Sequence, residues 1–214
     1  MSTAASAPAG DSGRFFRLTR DDAIARLARP PAEPYPHDYH MTALDGDPRM
    51  LAAVLVPLIP RDGDLHVLLT QRTAHLNDHP SQISFPGGRV EGADQNRVET
   101  ALREAEEEIG LARERVQILG KLPDYDMPSG FRVSPIVGWI EPPLATKLDP
   151  FEVESAFEVP LSFVLDPTNH QRRKYHFNGR DRDYLAIPYE GRYIWGATAG
   201  MLYSLYRQLA DPVT

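Results

Sequence analysis

Three glutamates and one arginine have the spacing of a metal-binding helix face. Glu104, Glu107 and Glu108 stand at positions i, i+3 and i+4, and Arg103 precedes them. On a helix this spacing places the three carboxylates side by side. Each pair of like charges there costs about 0.2–0.5 kcal/mol, and Arg103, four residues before Glu107, offsets only part of that cost. Hard divalent cations such as Mg²⁺ bind carboxylates together with substrate phosphates. The spacing therefore predicts a metal site that polarises a phosphoryl group and aligns a water molecule.

The helix that carries these residues is predicted from one apolar stripe. Val98, Leu102, Ala105 and Ile109 recur at i, i+4, i+7 and i+11, which is typical of a helix with one buried face. Gly110 is a natural helix stop. The other interpretation of the acidic residues is a solvated helix face, which is common in globular proteins.

A glycine pair lies upstream of the predicted helix. Gln82–Phe85 is strand-like, Pro86 ends it, and Gly87-Gly88 is predicted to form a turn. Glycine there would let the backbone come close to a metal ion and to phosphates. This context favours a site over a solvated face.

The segment from Arg103 to Leu111, REAEEEIGL, resembles the second half of the Nudix box, REUxEExGU, at every fixed position. The first half of the box departs from the family pattern. Arg89 stands where a glycine is expected, and Gln95 stands where a glutamate is expected. Gly87-Gly88 lies one or two residues too early, so the intervening loop is longer than in the standard box.

A longer loop is similar to that of the coenzyme A pyrophosphatase branch of the Nudix hydrolases, where Asp94 has a counterpart. That branch carries the pattern LLTxR(S/A)xxxRxxxGxxxFPGG, which Leu68–Thr70, Arg72 and Phe85–Gly88 match. Three positions depart from the pattern: Thr73 replaces Ser or Ala, Asn77 replaces Arg, and Ser81 replaces Gly. Further segments resemble the branch as far as Leu209, at Pro128–Phe131, Glu158–Leu161 and Ile194–Gly200.

The resemblance implies hydrolysis of the diphosphate bond of coenzyme A or acyl-CoA, giving 4′-phosphopantetheine and adenosine 3′,5′-bisphosphate, with Mg²⁺ or Mn²⁺ as cofactor. In that reaction Glu104 and Glu108 would be the main metal ligands, and Glu107 would complete the site or orient water. Arg103 would hold a glutamate in place. Arg72, Gly87 and Gly88 would contact the substrate.

The proton acceptor of such a reaction is open, with Glu107, Asp124 and Asp126 as candidates. Four acids near the segment Phe151–Pro160 are weaker candidates for a remote base and are more often surface charge: Asp149, Glu152, Glu154 and Glu158.

The remaining elements predict an α/β fold. Helices are expected at 23–28 and 197–209, and strands at 52–59, 66–71, 116–122 and 133–140, with a hairpin at 174–187. Strands with helices before, between and after them predict an α/β/α sandwich, and the Nudix-type sandwich around a mixed β-sheet is the same architecture. Tyr193 and Trp195 are expected to pack in the core where the last helix begins. Residues 1–45 are expected to form a tail, a short helix and a Pro-rich connector, and residues 46–210 the hydrolase domain.

Composition excludes several classes of protein. A formal charge of −7 argues against a general nucleic-acid binder. The apolar stretch Ala52–Ile59 is too short to cross a membrane. The absence of cysteine excludes disulfides and thiol chemistry and fits a cytoplasmic location. The charge does not exclude a small anionic substrate, and the resemblance implies a small nucleotide, with coenzyme A expected, as the partner. The oligomeric state stays open, with a homodimer the commonest choice.

Three other functions remain open at this point. The enzyme could act on ADP-ribose, a dinucleotide or another nucleotide sugar, since Asn77 and Ser81 depart from the coenzyme A pattern. The chain could be a nucleotide-binding module without catalysis, although the complete REAEEEIGL segment argues against this. The acidic helix could also be purely structural, in which case no property would depend on Mg²⁺ or Mn²⁺.

Overall fold

The structure is a computed structural model that describes residues 18–30, 49–75, 80–127, 129–177 and 180–210. Asn77, the predicted turn at 178–179, the first residues of the tail and most of the Pro-rich connector lie outside these ranges. The helices are α1 (Arg20–Leu27), α2 (Arg97–Ile109), α3 (Leu161–Leu165) and α4 (Gly196–Ala210). The strands are β1 (Met50–Arg61), β2 (Asp64–Arg72), β3 (Ile83–Ser84), β4 (Gly87–Arg89), β5 (Val116–Lys121), β6 (Tyr125–Asp126), β7 (Phe131–Ile140), β8 (Val153–Pro160), β9 (Gln171–Phe177), β10 (Arg180–Tyr189) and β11 (Arg192–Trp195).

The larger sheet is mixed and has the central order β3-β2-β1-β7-β5. β1 runs parallel to β7, whereas β1 and β2 form the predicted antiparallel hairpin. Asp62 and Gly63 turn this hairpin with φ angles of 42° and 92°. A turn with two positive φ angles matches the twist of the flanking strands.

Helices cover both faces of this sheet, which confirms the predicted α/β/α sandwich. On one face, α2 packs Ala101, Ala105 and Ile109 against β1, β2 and β7. On the other face, α1, α3 and α4 pack against a core that contains Val54 and Val56 of β1. These two residues alternate along β1 with Ala53 and Leu55, which lie under α2. The side-chain period of two along β1 therefore supplies both cores.

Helix α1 joins the core shared with α4. Thr19 and Asp22 form a capping box at its start. Ala23 and Leu27 are buried, and the side chain of Gln208 on α4 donates to the Arg26 carbonyl at 2.7 Å. In the part of the chain that the structure describes, no helix is long and apolar enough to cross a membrane.

The predictions for the glycine pair and for two aromatic residues were wrong. Gly87 and Gly88 lie in strand β4, paired with Val54 and Ala53 of β1, and not in a turn. Tyr193 and Trp195 are 45% and 40% exposed instead of buried. Strand β11 continues up to α4, so alternation turns Ile194 into the core and its two neighbours outwards. The segment 151–160, whose acidic residues were expected mainly as surface charge, contains the whole of strand β8.

Candidate active site

Helix α2 is anchored at both ends and along its buried stripe. The side chain of Asn96 accepts hydrogen bonds from the backbone N–H groups of Val98 and Glu99, at 2.9 and 3.1 Å, which caps the first turn. Gly110 ends the helix in the left-handed region, at φ 67°. The stripe of Leu102, Ala105 and Ile109 is buried as predicted, so the register of the acidic face is fixed.

Glu108 is a buried carboxylate whose negative charge is only partly compensated by its neighbours. The residue is 3% exposed. The Gly87 N–H donates to its Oε2 at 3.2 Å, and Arg72 Nη1 lies 3.6 Å from its Oε1. Burial and the negative charge of Glu104 raise the pKa of Glu108 to about 8, although Gly87 and Arg72 act in the opposite direction. A buried acid with a raised pKa and a few polar neighbours is typical of a functional site.

Glu104 lies one helical turn before Glu108, on the same face. Its carboxylate packs directly against Gly88, where any Cβ atom would overlap it. Its side chain is 15% exposed, and Arg103 Nη1 lies 3.0 Å from its Oε1. Burial raises the pKa of Glu104, and the Arg103 charge offsets part of this effect. Gly88 therefore lets strand β4 approach the acidic helix closely.

Arg103 is held by an aspartate that the sequence did not single out. Its Nε and Nη2 donate to the two carboxylate oxygens of Asp94, each at 3.1 Å. Asp94 also accepts from the Glu91 N–H and the Thr100 hydroxyl, both at 2.9 Å. The Arg103 hydrogen bonds hold the pKa of Asp94 far below its ordinary value. The resemblance gave Asp94 a counterpart in related proteins but no role.

Glu107 is the most exposed of the three predicted ligands. Its side chain is 59% exposed and accepts from Arg103 Nη1 at 3.0 Å. Arg103 thus contacts both Glu104 and Glu107, whereas Glu108 contacts Gly87 and Arg72. In the described residues, no group of three acidic or histidine side chains is arranged to hold a metal ion.

The donor set nevertheless suits a hard divalent cation. Glu104 and Glu108 are adjacent, shielded carboxylates. The negative charge of Glu104 disfavours ionisation of Glu108, and the charges of Glu107 and Glu152 disfavour ionisation of Glu104. A cation between them would remove that cost, and carboxylate oxygens are the ligands that Mg²⁺ and Mn²⁺ prefer. Glu107 would approach such an ion from the solvent side.

Glu152 is another acidic residue whose charge acts on both Glu104 and Glu108. Its charge raises the pKa of both Glu104 and Glu108. Asp124 instead accepts from Ser134 at 2.8 Å and lines a cavity beside α1, and Asp126 forms ion pairs with Arg49 and Arg132. In the sequence Glu152 was one of several weak candidates, because only the folded structure brings the start of β8 close to α2.

Arg72 ends strand β2 at the edge of the site, as expected from its motif. The next residue of the motif is the first departure, Thr73, which is buried and holds the loop before β8 through a hydrogen bond to the Phe151 carbonyl. Ser81, the third departure, has φ 58°. A left-handed backbone explains why the pattern has glycine there.

Comparison with known proteins places residues 48–178 in a family model described as NUDIX domain. The chain is 39% identical over 194 residues to the uncharacterized Nudix hydrolase NudL of Enterobacter sp. (strain 638), covering 90% of this chain and 95% of the relative. It is 38% identical over 160 residues to NudL of Escherichia coli (strain K12), covering 74% of this chain and 82% of the relative.

Solved structures share the architecture at low sequence identity. RenU, a Nudix hydrolase from M. Smegmatis, superposes with a TM-score of 0.52 at 19% identity, covering 78% of this chain and 89% of that one. DR0079 from Deinococcus radiodurans gives a TM-score of 0.50 at 13% identity, covering 77% and 89%. These likenesses concern the fold.

Proposed function

The chain belongs to the Nudix hydrolase family, and we propose that it hydrolyses the diphosphate bond of coenzyme A or acyl-CoA. The family reaction is hydrolysis of a nucleoside diphosphate linked to a second group. The products here would be 4′-phosphopantetheine, or its acyl form, and adenosine 3′,5′-bisphosphate.

The observation that carries the proposal is the pair Glu104 and Glu108. Two shielded carboxylates one helical turn apart are unfavourable in a folded protein unless a cation or protons neutralise them. The bound metal ion, Mg²⁺ or Mn²⁺, would supply charge neutralisation at the phosphoryl oxygens and acidify a water molecule. Arg103 and Asp94 keep the helix face in position by charge-assisted hydrogen bonds.

The other residues of the site have separate roles in this proposal. Glu104 and Glu108 hold the metal, and Glu107 adds a ligand or orients the water. Arg72 would contact a substrate phosphate. The close packing of Gly88 on Glu104 keeps side chains out of the space next to the carboxylates.

Glu152 is the proposed proton acceptor. Its charge acts on both Glu104 and Glu108, whereas Asp124 and Asp126 are held by Ser134 and by arginines. A base must lie within reach of the attacking water, directly or through one further water.

Coenzyme A is the proposed substrate because of the two parts of the family pattern that precede α2, namely Leu68–Arg72 and Phe85–Gly88. Phe85–Gly88 delivers the glycine pair to Glu104 and Glu108, and Arg72 from the same pattern contacts Glu108. The Asn77 departure keeps a second candidate open, namely another nucleoside diphosphate such as ADP-ribose or a dinucleotide.

The test is incubation of the purified protein with coenzyme A and Mg²⁺ or Mn²⁺, with the products identified by mass spectrometry. Dephospho-coenzyme A and ADP-ribose are run in parallel. We expect the two products named above, slower cleavage without the 3′-phosphate, and no cleavage in the presence of EDTA.

Two variants of α2 serve as a matched pair in this test. Glu108→Gln removes the buried carboxylate, whereas Glu106→Gln removes an exposed one that pairs with Arg113. Cleavage of ADP-ribose in preference to coenzyme A would move the assignment to the second candidate. Cleavage of none of the three substrates by folded protein with either metal would contradict hydrolysis of this substrate class.

A further inference from the structure

Phe151 is an exposed aromatic ring at the border of the acidic site. Its 64% exposure exceeds that of the other exposed large apolar residues in the described ranges. The ring packs edge-to-face on His75, with ring centroids 4.9 Å apart and an interplanar angle of 60°. A single exposed apolar side chain is ordinary. The hydrogen bonds that hold its backbone and its position relative to the acidic site therefore decide whether Phe151 has a function.

The backbone that carries Phe151 is held on several sides. Thr73 is buried, its N–H donates to the Glu152 carbonyl at 3.0 Å, and its hydroxyl donates to the Phe151 carbonyl at 2.7 Å. The Phe151 N–H donates to the Asp149 side chain at 2.9 Å. Asp149 in turn donates its N–H to the Glu108 carbonyl at 3.0 Å. The exposed ring therefore lies on a backbone tied to both β2 and α2, so ordering it on binding costs little further entropy.

Both aromatic residues lie close in the chain to residues of the site. Phe151 precedes Glu152, whose charge acts on Glu104 and Glu108. His75 lies three residues after Arg72, which is 3.6 Å from Glu108. The two chain segments that leave the acidic site are thus the ones that form the aromatic pair.

We propose that Phe151 and His75 form the surface on which the nucleobase of the substrate stacks. This inference rests on the proposed function, since it concerns a nucleoside diphosphate held at the same site. A nucleobase has an aromatic face that stacks on phenylalanine and histidine rings. Its attached diphosphate would then extend towards Arg72 and the acidic pair.

The test is a binding experiment that needs no turnover. Adenosine 5′-(α,β-methylene)diphosphate carries a base and a non-hydrolysable diphosphate, and methylenediphosphonate carries the same group without a base. Affinities in Mg²⁺ are measured by calorimetry on the full chain. We expect Phe151→Ala to weaken binding of the nucleotide by a factor of about 5 to 150, the range for loss of one stacked base. Binding of methylenediphosphonate should not change.

Three further variants separate stacking from other effects. Phe151→Tyr retains an aromatic face and should retain affinity, whereas Phe151→Leu keeps apolar bulk and should lose it. Tyr193→Ala removes an exposed ring from the separate sheet of β9, β10 and β11 and should have no effect. Full affinity for the nucleotide in Phe151→Leu would overturn the inference, because an aliphatic side chain would then serve as well as an aromatic ring.

Other outcomes also contradict the inference. These are nucleotide affinity within twofold of wild type in Phe151→Ala, equal weakening of both ligands, or wild-type protein that binds the nucleotide no tighter than methylenediphosphonate. Failure of the proposed function is seen separately, as absence of coenzyme A cleavage in protein whose nucleotide affinity depends on Phe151.

Discussion

Glu108 on α2 and Glu158 on β8 are both shielded from water, with side-chain exposures of 4% and 24%, and each lies beside an arginine. Glu158 receives two hydrogen bonds from Arg61, at 2.9 and 2.6 Å, which lower its pKa. Glu108 has its arginine only at 3.6 Å, and burial raises its pKa to about 8. The difference shows that the fold can pair a shielded glutamate closely with an arginine, whereas Glu108 has one hydrogen bond from Gly87 and a more distant arginine. A carboxylate left in that state suits a cation that arrives later.

The largest effect expected from this comparison is on catalysis. Glu108→Gln should lower kcat by about 10²–10³-fold, the range for loss of one group that stabilises transition-state charge. Glu158→Gln, the matched change at the satisfied glutamate, should leave kcat within about twofold, because Glu158 forms an ion pair with Arg61 and has no role at the reacting atoms in the proposed mechanism. Steady-state kinetics at saturating Mg²⁺ checks both variants. Equal losses in the two variants would contradict the assignment of Glu108 to the metal.

The second prediction concerns pH and the metal-free protein. Because the pKa of Glu108 is raised from 4.5 to about 8, its contribution to stability is full below the unfolded pKa and is lost as pH rises through the folded one. In EDTA, the free energy of unfolding of wild type should fall, relative to that of Glu108→Gln, by on the order of a few kcal/mol between about pH 5 and pH 9. Each unit of pKa shift corresponds to about 1.4 kcal/mol.

Urea unfolding at several pH values, with and without Mg²⁺, measures this difference. Mg²⁺ should restore the stability of wild type at high pH by binding the folded state and should have little effect on Glu108→Gln. Parallel pH profiles for the two proteins in EDTA would show that folding does not raise the pKa of Glu108.

The third prediction tests whether Arg103 depends on Asp94. Asp94→Asn should lower activity by about 10–100-fold, the range for groups that orient metal ligands, and should raise the Mg²⁺ concentration needed for half-maximal activity. Its control is Glu91→Gln, because Glu91 is 65% exposed and lies 3.9 Å from the same arginine. A loss as large in Glu91→Gln would indicate that Arg103 needs only negative charge nearby, with no specific partner.

The acidic helix could be predicted from the sequence because its signals are local. The stripe through Leu102, Ala105 and Ile109, the stop at Gly110 and the i, i+4 spacing of Glu104 and Glu108 all lie on one element. The hairpin of β1 and β2 and the final helix were also confirmed, since their turn and stripe signals are local as well.

The parts that sequence reasoning missed depend on contacts between distant segments. Gly87 and Gly88 have the composition of a turn, and only their pairing with Val54 and Ala53 makes them a strand. Tyr193 and Trp195 have core-like composition, but Ile194 takes the inward position on their strand. Glu152 reaches the acidic helix because Thr73 holds its loop, across a long separation in the chain.

The smallest effect is expected at the satisfied glutamate. Glu158→Gln should destabilise the protein by about 1–2 kcal/mol. This is less than the upper limit of about 3 kcal/mol for hydrogen bonds to charged groups, because the pair is partly open to solvent. The Arg61 hydrogen bonds lower the pKa of Glu158, so its contribution is present above the unfolded pKa of 4.5 and is lost as pH falls through the folded one. Wild type and Glu158→Gln should therefore differ in urea unfolding near neutral pH and converge in acid, the reverse of the Glu108 pair. If they differ most in acid, Arg61 is not what stabilises the ionised form of Glu158, and the contrast between the two glutamates would lose its physical basis.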